Sequence, residues 1–202
     1  MLRDMRPSHG TAREEQALLI GASRGLGYAI AEKYLELGWR VVATARRDAT
    51  RLRTLAESSH GRLEVETVDI NEAAQVNTLR ERLAPRTFDS LFVNAGVKND
   101  DRETSADVST DEFVRVMVTN ALSPLRVVEA LKALVPASGT IAVMSSGQGS
   151  VANNITGGYE VCCNTSTISA ESSPGEACCL RHNRMSATEV YETIGPGRRR
   201  RC

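Results

Sequence analysis

The run Gly21-Ala22-Ser23-Arg24-Gly25-Leu26-Gly27 puts three glycines in seven residues, between the apolar tetrapeptide Ala17-Leu18-Leu19-Ile20 and a stretch of helical periodicity. A chain that leaves a buried strand and enters a helix at once needs residues without a Cβ, to turn sharply and to let backbone approach a ligand. The amides that open such a helix have no partner within it, and the helix dipole adds partial positive charge there. That combination suits a pyrophosphate. Three glycines alone are a weak signal; at a strand-to-helix junction with further strands behind it they point to a dinucleotide.

The adenosine end is read from the second strand. An NAD site usually carries a carboxylate there, about 20 residues on, to bind the ribose 2′-hydroxyl. Here the strand ends Thr44-Ala45-Arg46-Arg47, with no carboxylate before Asp48. A guanidinium suits a 2′-phosphate and gains nothing from a bare hydroxyl, and Arg24 in the glycine turn is within reach of the same group. NADP(H) is therefore expected as cofactor, against the plainer reading of Arg46 and Arg47 as solvated surface charges.

The elements that must position these residues alternate in type from Gln16 to Ser146, which predicts an α/β fold with a doubly wound, mainly parallel sheet of about five strands. Strands are expected at 17–20, 40–45, 63–70, 91–93 and 141–144. Leu26, Ile30, Tyr34 and Leu37 form one apolar helix face, and Gly38 is placed to end that helix. Val76, Leu79 and Leu83 mark another helix. Ser109 and Glu112 offer a capping box for a helix running to about Leu134.

The Gly-x-x-x-Gly-x-Gly spacing, with Val93-Asn94-Ala95-Gly96 after the fourth strand, resembles the short-chain dehydrogenase/reductase family over residues 16–161. The resemblance implies that Asp69 and Ile70 flank the adenine, while Asn94, Ala95 and Gly96 stabilise the sheet and line the cofactor's ribose. It implies a catalytic set of Asn, Ser, Tyr and Lys acting on a small-molecule carbonyl or secondary alcohol. Asn120 matches the first position. Pro124, four residues on, has no N–H for the Asn120 carbonyl and crowds it, so a kink is expected that lets this carbonyl hold a relay water. Ser146, more than Ser145, matches the Ser that hydrogen-bonds the substrate oxygen, at the carboxyl edge of the sheet.

The next motif, Tyr-x-x-x-Lys on a helix, is not found. Tyr159 is followed four residues later by Cys163, Tyr191 by Gly195, and the three lysines are Lys33, Lys98 and Lys132. The helix that would carry the pair, and that helps form the family's dimer, is missing too, so a homo-oligomer is doubtful and the fifth strand is expected to be an exposed edge. Residues 162–202 hold only Ile168, Leu180, Val190 and Ile194 among Leu, Ile, Val and Phe, too few for a core, and are expected to be a low-order tail. All five cysteines fall there. Their adjacent pairs lack zinc-ligand spacing, and no metal is expected. The pattern is that of a truncated or alternatively read form whose ordinary sequence stops near Val161.

Bulk properties exclude other classes. Lys+Arg and Asp+Glu are equal at 25 each, which leaves no global field to attract nucleic acid or anionic membrane. No apolar run is long enough to span a bilayer. Residues 1–15, mixed in charge and without an apolar stretch, read as a disordered arm on a cytoplasmic protein. Two functions remain: an NADP(H)-dependent oxidoreductase of the family, catalytically impaired in this form, or a non-catalytic nucleotide-binding or interfering chain.

Overall fold

Ala17 to Ile20 carry no polar side chain, and each is at most 1% exposed at the centre of the sheet. The computed structural model describes residues 13–98, 106–146 and 177–182. Its strands are β1 (Gln16–Ile20), β2 (Arg40–Ala45), β3 (Leu63–Thr67), β4 (Ser90–Val93), β5 (Thr140–Ser146) and β6 (Ala177–His182). They form one sheet in the order β3-β2-β1-β4-β5-β6, with every pair parallel. The helices are α1 (Gly25–Glu36), α2 (Thr50–Ser58), α3 (Ala73–Leu83), α4 (Thr110–Met117) and α5 (Ser123–Leu131).

Alternation along β1 sets the layers. Ala17 and Leu19 face Ile30 and Tyr34 of α1 and Leu52 of α2. Leu18 and Ile20 face Val76, Leu79 and Leu83 of α3 and Val127 and Leu131 of α5. Both faces are covered, as a parallel sheet requires. Tyr34 brings a polar tip into this core and satisfies it: its hydroxyl lies 2.9 Å from Ser90 Oγ, and its ring packs against Trp39 with centroids 4.7 Å apart. Gly38, at φ +88°, turns the chain out of α1. Because the helix has ended at Glu36, Leu37 leaves the predicted apolar face and is 43% exposed.

Three expectations need correction. The third strand stops at Thr67, not Ile70. The Val68 N–H still reaches the Ala45 carbonyl at 3.0 Å, but Val68, Asp69 and Ile70 then bend away over the end of the sheet. The arm is fastened from Arg13 onward: Arg13 pairs with Asp89 at 3.0 Å, Glu14 pairs with Arg40, and the Arg40 N–H donates to the Glu15 carbonyl. Lastly, β5 is not the edge strand, and the tail is not of low order throughout. Ala177-Cys178-Cys179-Leu180-Arg181-His182 pairs with β5, Ile141 opposite Ala177 and Ser146 opposite His182. An unpaired strand edge accepts any extended backbone, whatever its side chains, so a count of apolar residues over the whole tail hid this segment. Residues 1–12, Tyr159, Cys162, Cys163 and the terminal arginines lie outside the described residues.

Tyr34→Phe leaves the Ser90 hydroxyl, 1% exposed, without its partner. Urea denaturation should record a loss of about 1–2 kcal/mol, typical of an abandoned buried hydroxyl.

Candidate functional site

β1 has β2 on one side and β4 on the other, so the chains leaving β1 and β4 diverge over opposite faces of the sheet. Such a switch point opens a crevice at the carboxyl ends of the strands. A cleft of about 640 Å³ lies there. Gly21, Ser23, Arg24 and Gly25 form one wall, Arg46 with Val68, Asp69 and Ile70 a second, and Asn94, Ala95 and Gly96 a third. Thus ten of the residues singled out by sequence share one cavity. Leu26, Gly27 and Asn120 stand behind its lining.

The glycine turn is fastened from two sides. Gly21 N–H donates to Thr44 Oγ1 at 3.0 Å and Ala22 N–H to the Thr44 carbonyl at 2.8 Å. From β4, Asn94 Nδ2 donates to the Gly21 carbonyl at 2.8 Å, and the Asn94 and Ala95 N–H groups both reach the Ile20 carbonyl at 2.9 Å. A Cβ on Gly27 would sit 2.3 Å from the Gly21 oxygen and 2.6 Å from Asn94 Nδ2. Gly25 differs: at φ +57° it has nothing within 4 Å of its Cβ position, and it lines the cleft. Two purposes are therefore separate in one motif, close packing at Gly27 and open space at Gly25.

Arg24 occupies the N-cap position of α1 in extended conformation, its side chain caps nothing, and the first turn holds no acid. The opening amides of α1 thus keep their capacity to bind an anion beside that open space. The rim adds Arg24, Arg46, Arg47 and Arg51 against the carboxylates of Asp48 and Asp69. Both carboxylates are engaged in local turns. Asp48 Oδ1 accepts the Thr50 N–H at 2.9 Å, a bond that holds its carboxyl below the usual range, and Asp69 Oδ1 accepts the Asn71 N–H at 3.0 Å.

Between α4 and α5 the helix widens into a π turn, Val118–Leu122, in which the Ser123 N–H reaches back five residues to the Val118 carbonyl. The irregularity expected from Pro124 takes this form, since a proline in the first turn of α5 cannot continue the preceding ladder. Asn120 lies in the turn, and its side chain holds Val97: Oδ1 accepts the Val97 N–H and Nδ2 donates to the Val97 carbonyl, both at 2.8 Å. Behind it, Asn71 Nδ2 donates to Thr119 Oγ1 at 2.9 Å while Ser123 Oγ donates to Asn71 Oδ1 at 2.7 Å. At the entry to α4 only half of the capping box forms. Ser109 Oγ accepts the Glu112 N–H, whereas the Glu112 carboxylate turns to Arg115, which holds that carboxyl below its usual range. Ser146 is the last residue of β5, at the carboxyl edge two strands from β1.

Sequence reasoning missed Thr44, Asn71, Thr119 and Arg51. Arg51 alone left a signal, as a further cation five residues after Arg46. The other three are ordinary polar residues whose partners are distant in sequence.

Fold and cleft together define a Rossmann-like α/β protein. Comparison with known proteins narrows this. The family described as short chain dehydrogenase matches residues 15–161. A structure of a short-chain dehydrogenase/reductase from Burkholderia multivorans with bound NADP is 52% identical, at TM-score 0.70 over 74% of this chain and 66% of that one. A carbonyl reductase from Pseudomonas aeruginosa in complex with NADP is 33% identical, at TM-score 0.69 over 74% of this chain and 69% of that one. Protein FixR from Bradyrhizobium diazoefficiens is 35% identical over 140 residues, 66% of this chain and 50% of that protein. The chain belongs to the short-chain dehydrogenase/reductase family. It spans about half the length of the curated relatives it matches, from 44% to 60%.

Gly27→Ala should cost about 3 kcal/mol or more, because backbone and Asn94 would both have to shift. Gly25→Ala should cost only about 1–2 kcal/mol, the strain of a left-handed residue in open space. Denaturant unfolding of the two variants measures the contrast.

Proposed function

We propose that the cleft holds NADP(H) and that the chain is an oxidoreductase of carbonyls or secondary alcohols whose proton transfer is impaired in this form. The observation that carries the first half is the pairing of open space at Gly25 with uncapped amides at the start of α1, on a rim with four guanidiniums and two carboxylates already engaged in turns. NADP-bound relatives at 52% and 33% identity support the same reading.

In this reading the amides of the Ser23–Gly27 turn hold the pyrophosphate, and Arg46 with Arg24 holds the 2′-phosphate through charge-assisted bonds. Val68 and Ile70, 4% and 6% exposed, give the adenine an apolar wall, with Asp69 beside it. Asn94, Ala95 and Gly96 line the ribose on the far side. The cofactor, when bound, supplies or accepts a hydride at the substrate carbon. Ser146 donates a hydrogen bond to the substrate oxygen, and Asn120 positions a relay water.

What this chain lacks is a lysine one helical turn after Tyr159, where Cys163 stands. An unassisted tyrosine keeps its pKa near 10 and exchanges its proton poorly at neutral pH. Loss of a positioned acid/base removes about 10²- to 10⁴-fold in rate. Binding without efficient turnover is therefore the expected behaviour, and an interfering or purely nucleotide-binding role is compatible with it. Among the described residues no helix is long and apolar enough to cross a membrane. A cytoplasmic location is part of the same proposal.

Titration calorimetry on folded protein should give tighter binding of NADPH than of NADH. Arg46→Asp should lower the NADPH preference by at least about tenfold, equivalent to 1.4 kcal/mol. A panel of aldehydes and ketones with NADPH should show turnover far below that of a relative that carries the Tyr-x-x-x-Lys pair. Absence of heat with either nucleotide would refute the cofactor assignment, and turnover matching the relative would refute the impairment.

A further inference from the structure

Arg51 stands where a helix ordinarily avoids a cation. It lies in the first turn of α2, which holds no acidic residue, so its charge meets the positive end of the helix dipole. It also shares the rim of the cleft with Arg24, Arg46 and Arg47, whose charges repel it. Several other arginines are neutralised, Arg13 by Asp89, Arg82 by Glu66 and Arg86 by Glu64. None of the four rim arginines pairs with a carboxylate among the described residues.

Among the described residues its one ionic or aromatic partner is a ring. The Arg51 guanidinium carbon sits 4.3 Å from the centroid of the Tyr28 ring, well within cation–π range. Tyr28 lies in the first turn of α1, half-buried, and packs against the apolar cluster shared by α1, α2 and the sheet. The core thus fixes the ring, and the ring fixes the guanidinium. A guanidinium stacked on a ring still has its N–H edge available for a planar or tetrahedral oxyanion. No hydrogen bond to a described residue competes for that edge.

We propose that Tyr28 and Arg51 together determine preference for the 2′-phosphorylated nucleotide, with Arg51 a second ligand of the 2′-phosphate beside Arg46 and Tyr28 the residue that positions it. The inference rests on the NADP(H) reading of the cleft and adds to it a residue pair from two different helices. A phosphomonoester carries close to two negative charges at neutral pH, which fits a site with several guanidiniums better than a single one does. Holding Arg51 in place beforehand reduces the side-chain ordering that binding would otherwise require. A purely structural cation–π contact would instead affect all nucleotides alike, through the fold.

The test is titration of the unmodified protein, Arg51→Gln, Tyr28→Leu and Tyr28→Phe with NADPH and with NADH, followed by nicotinamide fluorescence. Arg51→Gln should weaken NADPH about tenfold, as loss of one charge-assisted contact does, with NADH changed by less than about twofold. Tyr28→Leu should weaken NADPH about three- to fivefold through loss of the ring, and Tyr28→Phe should restore it. Retained NADH affinity certifies the fold of each variant, and because Arg51 is exposed its replacement does not disturb packing. If Arg51→Gln leaves NADPH affinity intact, or lowers both nucleotides equally, the inference is overturned, while the NADPH preference of the unmodified protein and its sensitivity to Arg46→Asp would keep the cofactor reading standing. If the unmodified protein binds neither nucleotide, both fall together.

Discussion

The Gly21 carbonyl is in contact with three parts of the fold at once. It accepts a hydrogen bond from Asn94 at the end of β4, it abuts Gly27 at a distance no side chain would tolerate, and its own residue is tied through N–H to Thr44 on β2. The three central strands and the first helix therefore meet at one peptide group. Buried backbone groups must find partners, and here the partners are drawn from elements up to 73 residues apart in sequence. The position of every wall of the cleft relative to the others follows from this junction. Its shape is a property of the sheet, not of a loop.

How much of this could be read in advance depends on the range of the interaction. The apolar run at 17–20, the face Ile30–Tyr34 and the run at 141–144 are local patterns, and each forms the element it announces. The glycine turn was legible because three purposes converge on the same residue type within seven positions. Arg46 stood out through what is missing beside it, a carboxylate, and it lines the cleft. Asn71, Thr44 and Thr119 were not, because their meaning lies in partners 23 to 52 residues away. The end of β3 was misjudged for the opposite reason: Val68 and Ile70 extend the apolar character of the segment and are buried, but in the cluster that includes Val76 of α3, not in the ladder. Leu37 shows periodicity overrun by a stop signal, since Gly38 ends the helix before the face is complete.

The two ends of the cleft differ in how their polar groups are satisfied. Around the π turn the side-chain amide of Asn120 is bonded to Val97, and that of Asn71 to Thr119 and Ser123, so side chains hold one another and the turn in a fixed arrangement. At the end that carries Arg24, Arg46, Arg47 and Arg51, Arg51 lies over the Tyr28 ring, and none of the four has a carboxylate in pairing distance among the described residues. Stable proteins resolve such like-charge clusters with counter-charges, and where they do not, the conflict marks a place reserved for something else. The fold thus invests its internal hydrogen bonds in geometry at one end and leaves electrostatic capacity at the other.

The pairing of β5 changes along its length. Its neighbour β4 accompanies it only from Thr140 to Val143, whereas β6 runs beside it from Ile141 to Ser146. Met144, Ser145 and Ser146 therefore owe their extended form to the outermost strand alone. That strand is built from the cysteine-bearing segment which by composition looked dispensable. A shortened chain ending before Ala177 would keep the glycine junction whole, yet would leave the backbone of Met144 to Ser146 without a strand neighbour. In this molecule β6 works as a splint for the end of a strand that precedes it by some thirty positions.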